Sequence, residues 1–202
     1  MHVAYTPDFP VTDVACKAAT GRSFADWYAL IDGAGLATNR RDAIQLVYNE
    51  TGRGKDVWWP TTIWVEFERA RGIVKKDGRA EGYNICCTKG FKLAPADLFP
   101  HFATQEALGA WVTGWTGEVT EGGRFRCGDA SGTVGRIRAN KDIRLDWQGP
   151  GFSPTEIEIQ FTVLGDKTTI NIFHKRIATR AEADGLRRAW GVALDHLKRR
   201  VG

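Results

Sequence analysis

Residues 155–177 read TEIEIQFTVLGDKTTINIFHKRI, and this stretch decides the fold. Apolar side chains at Ile157, Ile159, Phe161 and Val163 alternate with polar ones through its first half. Successive side chains of a β-strand point to opposite faces, so the pattern predicts a strand with one dry face and one wet face. The Gly-Asp pair at 165–166 is a turn signal, after which the alternation resumes. The stretch therefore predicts two antiparallel strands that share one dry face.

Further elements are predicted on both sides of this hairpin. Strand-like segments precede it at residues 83–93, around Phe125, at 132–139 and at 143–148, with short helices beginning at Pro95 and after Thr104. After the hairpin, residues 179–201 repeat apolar side chains at helical spacing. This stripe consists of Leu186, Trp190, Ala193, Leu194, Leu197 and Val201. Because an amphipathic helix needs a partner surface, we expect the long C-terminal helix to pack on the dry face of the sheet.

The first third of the chain reads as helices instead. Each predicted helix begins with a capping residue or an acidic first turn and ends at a glycine. The three helices run from Ser23 to Gly33, from Thr38 or Asn39 to Gly52, and from Asp56 to Gly72. A Lys-Lys-Asp-Gly turn at 75–78 then separates them from the first strand. The sequence therefore predicts a small helical domain at residues 1–78 and an α+β domain at residues 79–202.

Short motifs in the second domain stand in an order that resembles a known family. They are DLFPHF at 97–102 followed by Trp111, GGRF at 122–125, Gly135, RLDW at 144–147, TTINIFH at 168–174, and Trp190-Gly191 with Leu194 and Leu197. Together they are similar to proteins that resemble the activator of the heat-shock protein 90 ATPase, within the START-like SRPBCC superfamily. This resemblance covers roughly residues 79–201.

A second resemblance concerns the helical part. The segments TGRS at 20–23, WY at 27–28, WW at 58–59 and ERARG at 68–72 are similar to a helical domain of unknown function that often precedes the first family. The two resemblances together cover nearly the whole chain.

The family resemblance implies a helix-grip fold of the START/Bet v 1 type. In that fold a curved antiparallel sheet and a long C-terminal helix leave a cavity between them, which different branches use for lipids, hormones, polyketides or protein partners. Strand parity and the helix stripe give ten candidate lining residues, with His174 as the polar one. They are Phe125, Leu145, Trp147, Ile159, Phe161, Ile170, Ile172, His174, Trp190 and Leu194. The alternative is that these side chains simply fill the core.

Three functions are compatible with this pattern. The first is the binding of a small hydrophobic or amphipathic ligand between the sheet and the C-terminal helix. The second is a co-chaperone-like role, in which the cavity is filled and an outer surface contacts a protein partner or a second copy as a homodimer. The third is an enzyme acting on a hydrophobic substrate with His174 as acid or base. No nucleophile is paired with His174 in the sequence, so we predict no catalytic residue and favour binding.

Composition and charge limit the classes of partner that this protein is expected to bind. The 202 residues are 43% hydrophobic and 26% charged, as in ordinary folded proteins, and no apolar run reaches the roughly 20 residues that span a bilayer. The first residues lack the layout of a secretory signal, so we expect a cytoplasmic protein without a membrane partner. The formal charge of +4 lies in residues 83–202 and is explained by a solvated helix face, so we expect no nucleic-acid partner.

The cysteines and histidines show no metal-ligand spacing. Cys16, Cys86, Cys87 and Cys127 form no CxxC motif, and a reduced compartment favours free structural thiols. His2, His101 and His196 are not spaced as ligands either. We therefore expect neither a metal nor another cofactor.

Overall fold

A computed structural model describes residues 1–52 and 57–202, so Asp56, which the sequence places before the third helix, lies outside the described residues. By internal contacts the chain divides into two compact units. We call Pro7–Tyr83 the helical unit, and Met1–Thr6 together with Asn84–Gly202 the sheet unit. The sequence-based boundary lies at 78/79, and it assigns the first six residues to the helical part. In the structure these six residues pack with the sheet unit.

The helical unit contains four helices among its described residues. They are α1 (Asp13–Thr20), α2 (Phe24–Gly33), α3 (Arg40–Glu50) and α4 (Trp59–Arg71). The predicted capping box of α2 is present, since the Ser23 hydroxyl accepts from the Asp26 amide and the Asp26 carboxylate accepts from the Ser23 amide. The first helix, α1, was not predicted, although Thr12 caps it in the usual way.

The sheet unit follows the predicted order of elements. It consists of β1 (Tyr83–Phe91, whose first residue belongs to the helical unit), α5 (Pro95–Leu98), a 3-10 turn (Phe99–Phe102), α6 (Gln105–Gly109), β2 (Trp115–Gly117), β3 (Arg124–Cys127), β4 (Ala130–Arg138), β5 (Asp142–Gln148), β6 (Thr155–Leu164), β7 (Lys167–Ile177) and α7 (Arg180–Val201). The strands form one antiparallel sheet in the order β1-β7-β6-β5-β4-β3-β2. The predicted α+β class with a long C-terminal helix is therefore confirmed, while the short strand β2 was not predicted.

The register of β6 and β7 explains why the sheet has a dry face. Ile159 lies opposite Ile172, Phe161 opposite Ile170, and Ile157 opposite His174. All of these side chains are buried, because they point to the same side of the pleated sheet as the apolar stripe of α7. The core of the unit lies between this face and α7.

The opposite face of the sheet carries ion pairs between neighbouring strands. The Glu158 carboxylate forms ion pairs with Arg144 at 3.0 Å and with Lys175 at 3.3 Å. On β5, the hydrogen bond from Arg138, and then that from Arg136, hold the pKa of Asp142 below its usual value. Cations and carboxylates are thus interleaved, and this face is the wet side that the alternation predicted.

Helices long and apolar enough to cross a bilayer do not occur in residues 1–52 or 57–202.

Candidate functional site

The ten predicted lining residues all lie in the interior of the sheet unit. None exposes more than 7% of its surface, and the aromatic contacts among them centre on Trp147. Its ring centroid lies 6.0 Å from Phe125, 5.9 Å from Trp190 and 6.1 Å from the His174 ring. These distances are typical of packed aromatic pairs, so the structure brings β3, β5, β7 and α7 into one aromatic cluster.

The predicted polar residue of this cluster, His174, is hydrogen-bonded on both ring nitrogens. The indole Nε1–H of Trp190 donates to His174 Nδ1 at 3.3 Å. Since an indole N–H can only donate, Nδ1 is the acceptor and the proton of the neutral ring lies on Nε2. His174 Nε2–H then donates to the Thr155 hydroxyl at 2.7 Å, and that hydroxyl donates to the Trp147 carbonyl at 3.0 Å. The chain of donors and acceptors is complete.

Burial also decides the charge of this histidine. With no exposed surface, desolvation lowers the pKa of His174 to about 3, so the ring is neutral at physiological pH. Both nitrogens are used within the protein, which makes His174 part of a buried structural network rather than a free acid or base. Thr155 was not among the predicted residues, although its odd position places the hydroxyl on the dry face with Ile157.

Two other polar atoms of this aromatic cluster have no hydrogen-bond partner within the described part of the chain. The indole nitrogens of Trp115 and Trp147 are buried donors without an acceptor. Trp115 stacks on Phe125 at 4.1 Å, and Phe125 in turn contacts Trp147. An unsatisfied buried donor costs about 1–3 kcal/mol, so this aromatic cluster retains hydrogen-bonding capacity that the fold does not use.

Four of the cavities formed by the described residues are large enough to consider as sites. Of the ten predicted residues, Leu145 is the one that borders any of these four, in a cavity on the wet face of the sheet. Another of the four lies along α7 and has a volume of about 340 Å³. Its lining consists of Met1, His2, Ala4, Trp111, Thr113, Gly185, Arg188, Ala189, Val192, Ala193 and His196. We call it the α7 cavity.

One face of α7 forms the floor of this cavity. Gly185, Ala189 and Ala193 follow one another at intervals of four residues, so three small residues lie in a row along the helix. Trp111, which is buried, also lines the cavity. The sequence signal for this cavity was therefore a row of small residues in the last helix. Of these three residues, only Ala193 was part of the predicted apolar stripe.

The polar groups of the α7 cavity are neutral or basic. His2, Thr113, Arg188 and His196 line it, and its lining contains no carboxylate. The combination of an apolar floor and basic groups suits a ligand that is partly apolar and partly anionic.

Residues Met1–Thr6, which we call the arm, run along the edge of the α7 cavity. The Arg188 guanidinium donates from Nη2 to the Ala4 carbonyl at 3.0 Å and to the Thr6 carbonyl at 2.6 Å. The Tyr5 ring packs against Phe152, with centroids 4.7 Å apart. Arg188 therefore lines the α7 cavity and also binds the arm through its guanidinium group.

Comparisons with known proteins agree on the fold of the sheet unit. The sequence profile of the family "Activator of Hsp90 ATPase homolog 1-like protein" matches residues 92–202. No curated protein matches the chain significantly. Similar solved structures include CalU16 from Micromonospora echinospora, with 21% identity and a TM-score of 0.54 over 59% of this chain and 76% of that one.

Two further structures show the same likeness. Protein MLL2253 from Mesorhizobium loti is 14% identical, with a TM-score of 0.52 over 58% of this chain and 95% of its own. The Aha1 dimer from Colwellia psychrerythraea is 24% identical, with a TM-score of 0.50 over 59% of this chain and 96% of its own. At these identities the likeness establishes the fold and leaves the ligand open.

Proposed function

The chain belongs to the Activator of Hsp90 ATPase homolog 1-like family, and from this membership we propose that its sheet unit binds a small hydrophobic or amphipathic ligand. The family's SRPBCC fold typically binds ligands, and the sheet unit has that fold. Among the three functions compatible with the sequence, binding is the one for which the geometry offers a site.

The observation that carries the proposal is the α7 cavity. Its volume of about 340 Å³ falls within the range of roughly 300–1,000 Å³ that is typical of small-molecule sites. An apolar floor with a few polar groups at its rim also matches the usual composition of such sites. We therefore place the ligand beside α7 and not within the packed aromatic cluster beneath it.

The enzymatic alternative is less well supported. It rests on His174, whose ring nitrogens are occupied by Trp190 and Thr155 and whose depressed pKa keeps it neutral. A general base must reach its substrate by a hydrogen bond, and this ring has no free nitrogen to offer.

A matched pair of variants tests the site. Val192 and Val163 belong to the same unit and are similarly exposed, at 55% and 60%, but only Val192 lines the α7 cavity. Val192→Glu places a charge on the apolar wall and should weaken binding by about tenfold or more, because the apolar part of the ligand would then lie against a charged side chain. Val163→Glu should leave binding unchanged.

Native mass spectrometry measures the outcome. The purified protein is recorded as isolated and after addition of dodecanoate, and anything released on denaturation is identified. We expect a stoichiometric small molecule on the wild type and on Val163→Glu, with much less on Val192→Glu. Equal occupancy of both variants would move the site away from α7, and no bound molecule under any condition would contradict the proposed function.

A further inference from the structure

The arm is held to the sheet unit by few polar contacts. Two hydrogen bonds come from Arg188, and the Met1 ammonium donates to Cys127 Sγ at 3.3 Å. The backbone bond described for residues 1–6 is internal to the arm, from the Thr6 amide to the Ala4 carbonyl. The arm is not a strand of the sheet. It can therefore leave its position without breaking the ladder of the sheet, and Arg188 is its main polar attachment.

Glycines provide the space in which the arm lies. A Cβ atom on Gly185 would come within 2.6 Å of the Ala4 carbonyl oxygen, and one on Gly128 within 2.9 Å of the Met1 oxygen. On Gly149 it would come within 2.7 Å of the Tyr5 hydroxyl. At Gly185 and Gly128 the groove therefore approaches the arm backbone more closely than a residue with a Cβ atom would allow, and at Gly149 it approaches the Tyr5 side chain.

This groove is only partly filled by the arm. The α7 cavity, of about 340 Å³, lies on one side of it. A second cavity of about 250 Å³ lies on the other side, bordered by residues 113–114 and 127–130. Met1 and His2 line both cavities, so the arm is the partition between them. Moving the arm would join the two cavities into one groove.

We propose that the arm is a built-in competitor for an elongated amphipathic anion, such as a long-chain carboxylate, that binds in the joined groove. This inference rests on the proposed ligand-binding function and adds the ligand class and the role of Arg188. When the arm is seated, the Arg188 Nη2 group donates to arm carbonyls. When the arm is displaced, the same guanidinium pairs with the anionic head while the apolar chain lies along Ala189 and Ala193.

Charge around the groove favours this orientation. His2 and His196 flank Arg188 in the α7 cavity, and Asp129 is the acidic residue that lines the second cavity. An anionic head is therefore expected on the α7 side, with the apolar chain extending under the position of the arm.

One substitution can displace the arm without removing any group that would contact the ligand. Gly185→Ala adds a methyl group that collides with the Ala4 carbonyl, and alanine also suits a helix better than glycine. Gly191→Ala is the matched control, because it changes the other glycine of α7 and its Cβ would meet no atom within 4 Å. Both variants should fold, and they should differ in whether the arm is seated.

The test is a calorimetric titration of the full chain and its variants with dodecanoate, and with dodecan-1-ol as the uncharged probe. If the arm is seated in about nine molecules of ten, Gly185→Ala should bind dodecanoate about tenfold more tightly than the wild type. Gly191→Ala should match the wild type. Arg188→Gln in the Gly185→Ala background should lose most of the preference for dodecanoate over dodecan-1-ol.

Backbone NMR of uniformly labelled protein supplies the second measurement. We expect the amide signals of Val3 and Tyr5 to move to positions typical of disordered chain when dodecanoate binds, and to lie there already in Gly185→Ala. Dodecanoate binding that leaves these signals unchanged, or equal affinities of Gly185→Ala and Gly191→Ala, would overturn the inference. If Val192→Glu still weakens binding in that case, the proposed function survives; if dodecanoate binds none of the proteins, both fail.

Discussion

Replacing His174 or Glu182 should change how the stability of the sheet unit depends on pH, and the two changes should have opposite sign. His174 is fully buried, and desolvation lowers its pKa from 6.5 to about 3. Glu182, in the first turn of α7, is 1% exposed, and desolvation raises its pKa from 4.5 to about 7, against the backbone hydrogen bonds that it accepts. Its Oε1 atom has no hydrogen-bond partner among the described residues.

The sign follows from which state binds more protons. Between about pH 3 and 6.5 the unfolded chain protonates His174 while the folded protein does not, so this residue makes stability rise with pH. Between about pH 4.5 and 7 the folded protein holds a proton on Glu182 that the unfolded chain has lost, so this residue makes stability fall with pH. In the shared window, from pH 4.5 to 6.5, the two slopes oppose each other.

The magnitude follows from the width of the shared window. One bound proton changes the free energy of unfolding by roughly 1.4 kcal/mol for every pH unit, so each residue contributes about 3 kcal/mol across the window. In the wild type these contributions cancel. His174→Gln, which keeps a donor and an acceptor, should therefore show a free energy of unfolding that falls by about 3 kcal/mol as pH rises through the window. Glu182→Gln should show a rise of similar size.

Urea unfolding at a series of pH values provides the assay. The transition is followed through NMR intensities of the amides in β6 and β7, so that the sheet unit is observed separately from the helical unit. Comparing each variant with the wild type removes the contribution of all other titrating groups, because they are common to the three proteins. Parallel pH profiles for the wild type and His174→Gln would refute the assignment of a neutral, fully hydrogen-bonded His174.

Three further substitutions should change stability, each for one physical reason. Thr155→Val leaves His174 Nε2–H without its acceptor and should destabilise the sheet unit by about 1–3 kcal/mol in urea unfolding at pH 7; an unchanged midpoint would contradict the network. Gly191→Ala should raise the stability of the same unit by about 0.5–1 kcal/mol, seen as a higher midpoint, because its Cβ meets no other atom. Ser23→Ala should destabilise the helical unit by about 1 kcal/mol through loss of the capping box, and amide exchange in the first turn of α2 would accelerate; unaltered exchange would argue against the cap.

Much of the fold was predictable because its signals are local. The bounds of β6 and β7 agree with the prediction, since period-2 alternation and a Gly-Asp turn are read within a few residues. The end of α2 at Gly33 and the end of α7 at Val201 likewise agree with the prediction. Strand β2 was missed because three residues are too few to show a period.

The candidate site was predictable only in part. Strand parity correctly indicated most of the buried side chains of β5, β6 and β7, but Val163, predicted on the dry face, is 60% exposed beside the turn at 165–166. Whether buried side chains surround a cavity depends on how their volumes meet across the core. Here they pack around Trp147, and the α7 cavity, in which we propose that the ligand binds, is lined by other residues. The small residues that form its floor could equally lie on a solvent-facing side of the helix, so the sequence pattern alone does not indicate a cavity there.

The amino-acid sequence by itself determined the class of fold, the order of its elements and the residues that face the core, because backbone geometry converts short-range periodicity directly into orientation. Tertiary structure alone decided the partners of His174, the raised pKa of Glu182 and the seat of the arm against α7. The Arg188 contacts with the arm join residues more than 180 positions apart, and no local pattern encodes such a contact. Desolvation and cavity formation depend in the same way on the sum of all neighbours, which exists only once the chain has folded.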